Sequence, residues 1–217
     1  FSHFHFDHIQ GLPFCRDLYS PDTPIYFSSA LVSKEELKGI LGGCFSPHYF
    51  PIELVENLTH IQYLEFNEAS KIIKSFCDVK SIDLRHPGGA TGYIFENNTG
   101  KFCYLLDHEY DDESAPTIIN AARDADFILW DGMFTDEELK MRKGWGHSSI
   151  SQGADFLVST NANKLAVCHH SPYRNDKEMM ILEAENINIS NSDKKITFSS
   201  EGEHGFLEIE VNSIDSL

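Results

Sequence analysis

Positively charged residues are scarce in this 217-residue sequence, which has 17 lysines and arginines against 34 aspartates and glutamates and a formal net charge of −17. Proteins that bind the phosphate backbone of nucleic acids need clustered lysine and arginine residues. The composition therefore predicts that the chain has no extended nucleic-acid surface. A small anionic substrate remains compatible with it, because bound divalent cations would reverse the local field.

Cysteines are few and widely spaced, and no CxxC pair occurs among Cys15, Cys44, Cys77, Cys103 and Cys168. The odd count and the spacing argue against a disulfide framework. This indicates a reducing compartment, most simply the cytoplasm. No run of eighteen apolar residues is present either, so we expect no spanning helix and no membrane partner.

The chain begins with Phe1, and its densest group of metal-binding side chains begins only two residues later. Such a cluster normally follows a strand that aims it. We therefore expect that N-terminal residues are missing from this chain, that a signal peptide could be among them, and that a fused sensory domain or a homodimer is compatible with the sequence.

Short apolar runs alternate with helical patterns and predict a single α/β domain over residues 1–217. The predicted strands are 25–27, 79–84, 93–95, 102–106, 127–130 and 165–168. Capping-box patterns at Ser33 and Thr135, a proline at position 116, a helix start near Ser149 and the segment 177–185 predict helices between them. The tail 196–211 is typical of a hairpin with its turn at 199–204.

The first eight residues contain four potential metal ligands, which are His3, His5, Asp7 and His8. Phe4 and Phe6 alternate with them. In an extended segment this alternation would point both phenylalanines to the core and the polar groups to the opposite side. Imidazoles and a carboxylate together suit Zn²⁺, Mn²⁺ or iron.

This H-x-H-x-D-H pattern resembles the signature of the metallo-β-lactamase superfamily. The resemblance implies an αββα four-layer sandwich with two mixed sheets, although the family's opening strands are not in this sequence. It also implies three further ligands at strand ends, a histidine, an aspartate and a histidine. His86 and Asp107 occupy the first two places. For the third, the family register selects His169 and leaves His170 as the second choice.

The resemblance further implies two divalent ions, with zinc favoured and manganese or iron also compatible. His3, His5 and His86 would hold one ion. Asp7, His8 and His169 would hold the other, and Asp107 would lie between the two.

Asp131 and His147 resemble an acid dyad of the phosphodiesterase branch, which includes ribonuclease Z, with Asp where that enzyme has Glu. In that branch a hydroxide activated by the metals attacks phosphorus, and the histidine protonates the leaving oxygen. We therefore take Asp7, Asp131 and His147 as candidate catalytic residues. A helix-start role for His147 and a strand-end or N-cap role for Asp131 are the alternatives.

The acidic segment 108–130 leaves no place for the long basic arm with which ribonuclease Z grips tRNA. We therefore predict a hydrolase for a small anionic phosphodiester, such as a cyclic nucleotide. The alternatives are a hydrolase of a lactone, thioester or β-lactam, a di-iron redox or oxygen-sensing module, and a non-catalytic signalling domain.

Overall fold

The computed structural model describes residues 1–186 and 195–199. The chain divides into two compact units, unit 1 (Phe1–Ser75) and unit 2 (Phe76–Leu217). Strands and helices alternate in both, so the predicted mixed α/β class is confirmed. Within the described ranges, no helix combines the length and the apolar character that crossing a membrane would require.

Unit 1 is built on two short parallel strands, β1 and β2, with Ile25 opposite Ile61. The strands and helices are β1 (Ile25–Phe27), β2 (Ile61–Tyr63), α1 (Phe6–Ile9), α2 (Lys34–Cys44), α3 (Leu54–Asn57) and α4 (Phe66–Ile73). Two 3₁₀ turns cover Leu12–Phe14 and Arg16–Tyr19. The predicted capping box is confirmed at α2, where the Ser33 hydroxyl accepts from the Glu36 amide and the Glu36 carboxylate accepts from the Ser33 amide.

The core of unit 1 is formed by apolar residues of the helices and of both strands. Leu37 and Leu41 lie one helical turn apart on α2, and both are completely buried. This is the spacing at which an amphipathic helix buries one stripe. The sequence patterns had not predicted β2 or α4.

Unit 2 contains a six-stranded mixed sheet in the order β3-β4-β5-β6-β7-β8. Its strands are β3 (Asp78–Leu84), β4 (Ala90–Asn97), β5 (Gly100–Leu105), β6 (Phe127–Asp131), β7 (Lys164–Cys168) and β8 (Lys195–Phe198). β3, β4 and β5 are antiparallel neighbours, whereas β5 to β8 are parallel. Each predicted strand of this unit is confirmed to within a few residues. For the predicted terminal hairpin, β8 is present, but most of the turn and the returning strand lie outside the described residues.

In the described part of unit 2, the helices are α5 (Ala115–Ala121), α6 (Asp136–Met141), α7 (Ile150–Thr160) and α8 (Asp176–Asn186). The capping boxes of α6 and α7 start from Thr135 and Ser149. Helical spacing in the sequence predicts one buried face on α7 made of Ile150, Ala154, Leu157 and Val158. The first three are buried, but the prediction is wrong for Val158, which is 60% exposed. The inner face continues instead through Gly153 and Phe156, against the buried ring of Trp130.

Candidate metal centre and catalytic dyad

The direction of the strands in unit 2 gathers the predicted site residues at one edge of the sheet. β3, β5, β6 and β7 all run the same way, because β3 and β5 are each antiparallel to β4 and the others follow β5 in parallel. Their carboxyl ends therefore lie at the same edge, which is where α/β sheets place their functional groups. The side chains that follow or end these strands are His86, Asp107, Asp131 and His169.

Two of these residues have an unusual backbone conformation. Asp107 has a φ of 57° and His169 has a φ of 56°, in the left-handed region that side-chain-bearing residues seldom adopt. Each such residue costs about 1–3 kcal/mol, and it persists only where the surrounding structure enforces it. In both cases the chain bends sharply just after a buried strand and turns the side chain into the cluster.

The side chains at this edge form a compact group of donor atoms. His169 Nε2 lies 3.2 Å from Asp107 Oδ1, and His147 Nδ1 lies 2.8 Å from Asp131 Oδ2. One ligand atom from each of these four residues lies within 4.8 Å of the others. His86 Nε2 is 4.0 Å from Asp107 Oδ1. The residues predicted separately as ligands and as an acid dyad thus share one cluster in unit 2.

The hydrogen bonds of two histidines determine which of their nitrogens can act. His86 Nδ1 lies 2.7 Å from the carbonyl oxygen of Gly146, and a carbonyl can only accept. The proton therefore sits on Nδ1, and Nε2 keeps the lone pair that a metal ligand needs. His147 donates from Nδ1 to the Asp131 carboxylate in the same way.

A divalent cation fits this set of donors. Asp107 and Asp131 are almost completely buried, and two carboxylates so close together are costly to bury without opposing positive charge. Imidazole nitrogens and carboxylate oxygens are the ligands that zinc and related ions take in proteins. Both the charge and the chemistry of the cluster match a resident divalent metal.

His169 and His170 are adjacent in sequence but face different surroundings. The His169 ring stacks on His147 at 5.0 Å and faces Asp107. His170 stacks on Phe198 of β8 at 5.8 Å, and its Nε2 lies 3.2 Å from the Ser199 carbonyl oxygen. The structure therefore brings His169 to the cluster and turns His170 toward the neighbouring strand.

In unit 1, the four potential ligands of the opening motif lie close to one another. The His3 ring is 4.7 Å from that of His5 and 4.4 Å from that of His8. His8 Nε2 is 3.4 Å from the Asp7 carboxylate. Three imidazoles and a carboxylate therefore lie near one another in this segment.

The expectation that both phenylalanines of this motif face the core is wrong for Phe6. The extended segment ends at His5, and Phe6 is the first residue of α1. Its side chain is 65% exposed, whereas Phe4 is partly buried and stacks on Phe1 at 5.8 Å. Strict alternation fails here because the chain changes from an extended to a helical period within the motif.

The sequence patterns did not single out the two residues after Asp107. His108 is completely buried against the Trp130 ring at 4.6 Å, and its backbone N–H donates to the Asp131 carboxylate. Burial is the largest influence on its imidazole and lowers the pKa of His108 to about 4, although Asp131 and Asp107 act in the opposite direction. His108 is therefore a buried, uncharged side chain next to the Asp131–His147 pair.

Glu109 is the second residue that the sequence patterns missed. It is 5% exposed, and one carboxylate oxygen accepts from the backbone N–H groups of Gly144, at 2.6 Å, and Gly146, at 3.2 Å. The two glycines lie in the turn 144–146, which leads directly into His147. The carbonyl group of Gly146 in this turn also orients His86. No sequence signal distinguished Glu109, since it stands in an acidic stretch typical of solvated surface.

We expect Glu109→Ala to lower kcat about 10- to 100-fold, because a displacement of about 1 Å in a catalytic group can cost 100-fold. Glu109→Gln should restore most of the loss, since an amide oxygen accepts the same two hydrogen bonds. Steady-state kinetics of the three proteins test this. The exposed Glu113 provides the control, and equal losses in the alanine and glutamine variants would contradict a positioning role.

Comparison with known proteins identifies the superfamily of the chain. The sequence profile of the beta-lactamase superfamily domain matches residues 1–170. A ribonuclease Z from Sulfurisphaera tokodaii is 24% identical over 232 aligned positions, which cover 86% of this chain and 74% of the relative.

Two solved structures share the fold. The metallo-beta-lactamase fold protein YhfI from Bacillus subtilis has a TM-score of 0.63 at 14% identity, covering 91% of this chain and 72% of that one. The short form of human tRNase Z has a TM-score of 0.60 at 16% identity, covering 91% and 74%. At such identities the two structures support the fold alone. The profile match over most of the sequence shows the family: the chain belongs to the metallo-beta-lactamase superfamily, as a hydrolytic member related to ribonuclease Z.

Proposed function

We propose that this chain is a metal-dependent phosphodiesterase that acts on a small anionic substrate, such as a cyclic nucleotide. The observation that carries the proposal is the hydrogen bond of 2.8 Å between His147 Nδ1 and Asp131 Oδ2, beside Asp107 and His169. Hydrolysis of a phosphodiester must deliver a proton to the leaving oxygen. A histidine oriented by a buried carboxylate is suited to that task.

The Asp131 carboxylate is itself held in place. One oxygen accepts from the Met133 amide at 3.1 Å, and the other accepts from the His108 amide at 3.3 Å as well as from His147. The carboxylate therefore cannot rotate without breaking backbone hydrogen bonds. Its role in the proposal is to keep the Nδ1 proton on His147 and to orient Nε2 for proton transfer to the leaving oxygen.

We propose that the resident cofactor is a pair of divalent ions, most simply zinc. The residues proposed to hold them are His3, His5, Asp7 and His8 in unit 1, and His86, Asp107 and His169 in unit 2. This assignment rests on the family's ligand pattern and on the grouping of donors within each unit. When bound, such ions lower the pKa of water and so supply a nucleophile at neutral pH.

The segment between Asp107 and Asp131 supports a small substrate. It contains α5, short turns and most of β6, and its acidic residue Asp111 pairs with Arg85. It carries no cluster of lysines and arginines that could grip folded RNA. The five cysteines are widely spaced in the sequence and include no CxxC pair, which supports a cytoplasmic location for the enzyme.

The other hydrolytic reactions of this fold provide the main alternative. Cleavage of a lactone, thioester or β-lactam does not require the Asp131–His147 pair, so the pair favours phosphodiester hydrolysis. A di-iron redox module is the second alternative, and it differs from hydrolysis in the metal that the protein carries.

Elemental analysis of protein purified without added metal, combined with hydrolysis of bis(p-nitrophenyl) phosphate, tests the proposal. We expect about two zinc or manganese ions per chain together with turnover. About two irons without turnover would favour the redox module. Protein without metal and without turnover would contradict the proposed function.

A further inference from the structure

Trp145 is an exposed aromatic side chain two residues before His147. It is 60% exposed, whereas Trp130, the other tryptophan of the chain, is completely buried. A large exposed aromatic ring at this position adds nothing to the core of unit 2. It lies next to the histidine to which we assign proton transfer.

The turn that carries Trp145 is held rigidly. Gly144 and Gly146 on either side have φ values of 87° and 82°, in the left-handed region. Glu109 accepts hydrogen bonds from both glycines, and the Trp145 amide donates to the Arg142 carbonyl at 3.1 Å. A ring presented on such a turn loses little conformational freedom when a ligand stacks on it.

One aromatic side chain connects Trp145 to the dyad. The Phe134 ring packs edge-on against Trp145, with centroids 6.5 Å apart, and against His147 at 5.8 Å. Trp145 is therefore separated from the proposed acid by the width of a single ring. A nucleotide could place its base on Trp145 while its phosphate lies at His147.

The segment around Trp145 is positively charged, although the chain as a whole is strongly negative. Residues 140–147 contain Lys140, Arg142 and Lys143 and no acidic residue, in a chain whose net charge is −17. The Arg142 guanidinium lies 5.3 Å from the centre of the Phe134 ring and 5.9 Å from that of Trp145. Arg142 Nη1 donates to the Glu138 carbonyl oxygen at 3.4 Å, and within residues 1–186 and 195–199 no carboxylate pairs with this guanidinium. Its charge is therefore available to an anionic ligand.

We propose that Trp145 and Arg142 form a subsite that stacks the nucleobase of the substrate. The inference deepens the proposed phosphodiesterase function and rests on it. Bases stack on aromatic side chains whatever their sequence, and arginine adds a cationic contribution. The subsite would therefore favour nucleotides over phosphodiesters without a base and would discriminate weakly among the four bases.

Tryptophan fluorescence tests binding independently of turnover. The zinc-loaded His147→Ala protein is titrated with adenosine monophosphate, and separately with ribose 5-phosphate, in the presence of acrylamide. Because Trp130 is buried, acrylamide quenching reports mainly on Trp145. We expect adenosine monophosphate to reduce the quenching of Trp145 by acrylamide, and ribose 5-phosphate to leave that quenching unchanged. Equal responses to the two ligands would overturn the subsite.

Kinetics on 2′,3′-cyclic adenosine monophosphate provide the second measurement. Trp145→Ala should raise KM about 5- to 100-fold, the range that loss of one base–aromatic stack produces. Trp145→Phe should recover part of it, because a smaller ring still stacks. Met180→Ala is the control, since Met180 is a comparably exposed apolar side chain on α8. A wild-type KM in Trp145→Ala would overturn the subsite.

The two measurements separate this inference from the proposed function. If the wild-type protein hydrolyses no phosphodiester but adenosine monophosphate still protects Trp145, the proposed function fails and the subsite stands. If bis(p-nitrophenyl) phosphate is hydrolysed but ribose 5-phosphate and adenosine monophosphate act alike, the subsite fails and the proposed function stands.

Discussion

Replacement of His147 by alanine is expected to lower phosphodiesterase turnover about 100- to 10,000-fold while the protein keeps its metal. The expected loss is the usual contribution of a positioned general acid. The His147 side chain is bound to Asp131 at 2.8 Å, and the backbone hydrogen bonds that hold Asp131 do not involve it. The rate of bis(p-nitrophenyl) phosphate hydrolysis and the metal content per chain are the two quantities to measure.

The metal content determines whether His147 acts as an acid or as a ligand. His147 Nδ1 is 3.9 Å from Asp107 Oδ1, and its donor atom belongs to the same close group as those of Asp107 and His169. Loss of an ion together with activity would show that His147 is a ligand, and full activity in the alanine variant would remove it from the mechanism. His48→Ala serves as the control, because that histidine is exposed in unit 1.

Asp107→Asn is expected to lose bound metal and activity while keeping the fold. Asparagine matches aspartate in size and, like it, tolerates the left-handed backbone that position 107 requires. The substitution therefore removes the negative charge beside His169 with little strain. Changes in groups that only support a metal ligand lower affinity about 10- to 100-fold, and loss of a proposed metal ligand itself should cost at least as much. Metal titration of the apo-protein and thermal unfolding measure the two effects separately.

Asp124→Asn is a matched control for this substitution. Asp124 also has a left-handed backbone, with a φ of 55°, but it is exposed and accepts a hydrogen bond from the Asn161 side chain at 2.7 Å. The same chemical change there should leave metal affinity unaltered. If Asp107→Asn bound metal as tightly as Asp124→Asn, the assignment of Asp107 as a metal ligand would be wrong.

Most strands of unit 2 could be predicted because their signal is local. The run 127–130, for example, is apolar over its whole length, and hydrophobic patterns of this kind follow directly from burial. The capping boxes at Ser33 and Thr135 could also be predicted, since the cap and its partner lie three residues apart in the sequence.

Patterns that depend on distant contacts were less informative. Phe6 appeared to belong to an alternating segment, but the chain becomes helical at that residue and exposes its ring. Val158 fits the helical stripe of α7 by spacing, yet the helix turns Gly153 and Phe156 inward instead. Glu109 could not be recognised, because its role depends on glycines 35 and 37 residues away.

The sequence by itself identified the family and nominated the candidate metal ligands and the candidate pair Asp131 and His147, because these signals lie in residue types close together in sequence or at strand ends. Only the tertiary structure decided that His169 rather than His170 faces Asp107, that Asp131 is held by two backbone amides, and that Glu109 anchors the turn bearing Trp145. Each of these depends on which side chains meet when parallel strands bring their carboxyl ends to one edge, and the order of residues along the chain does not contain that information.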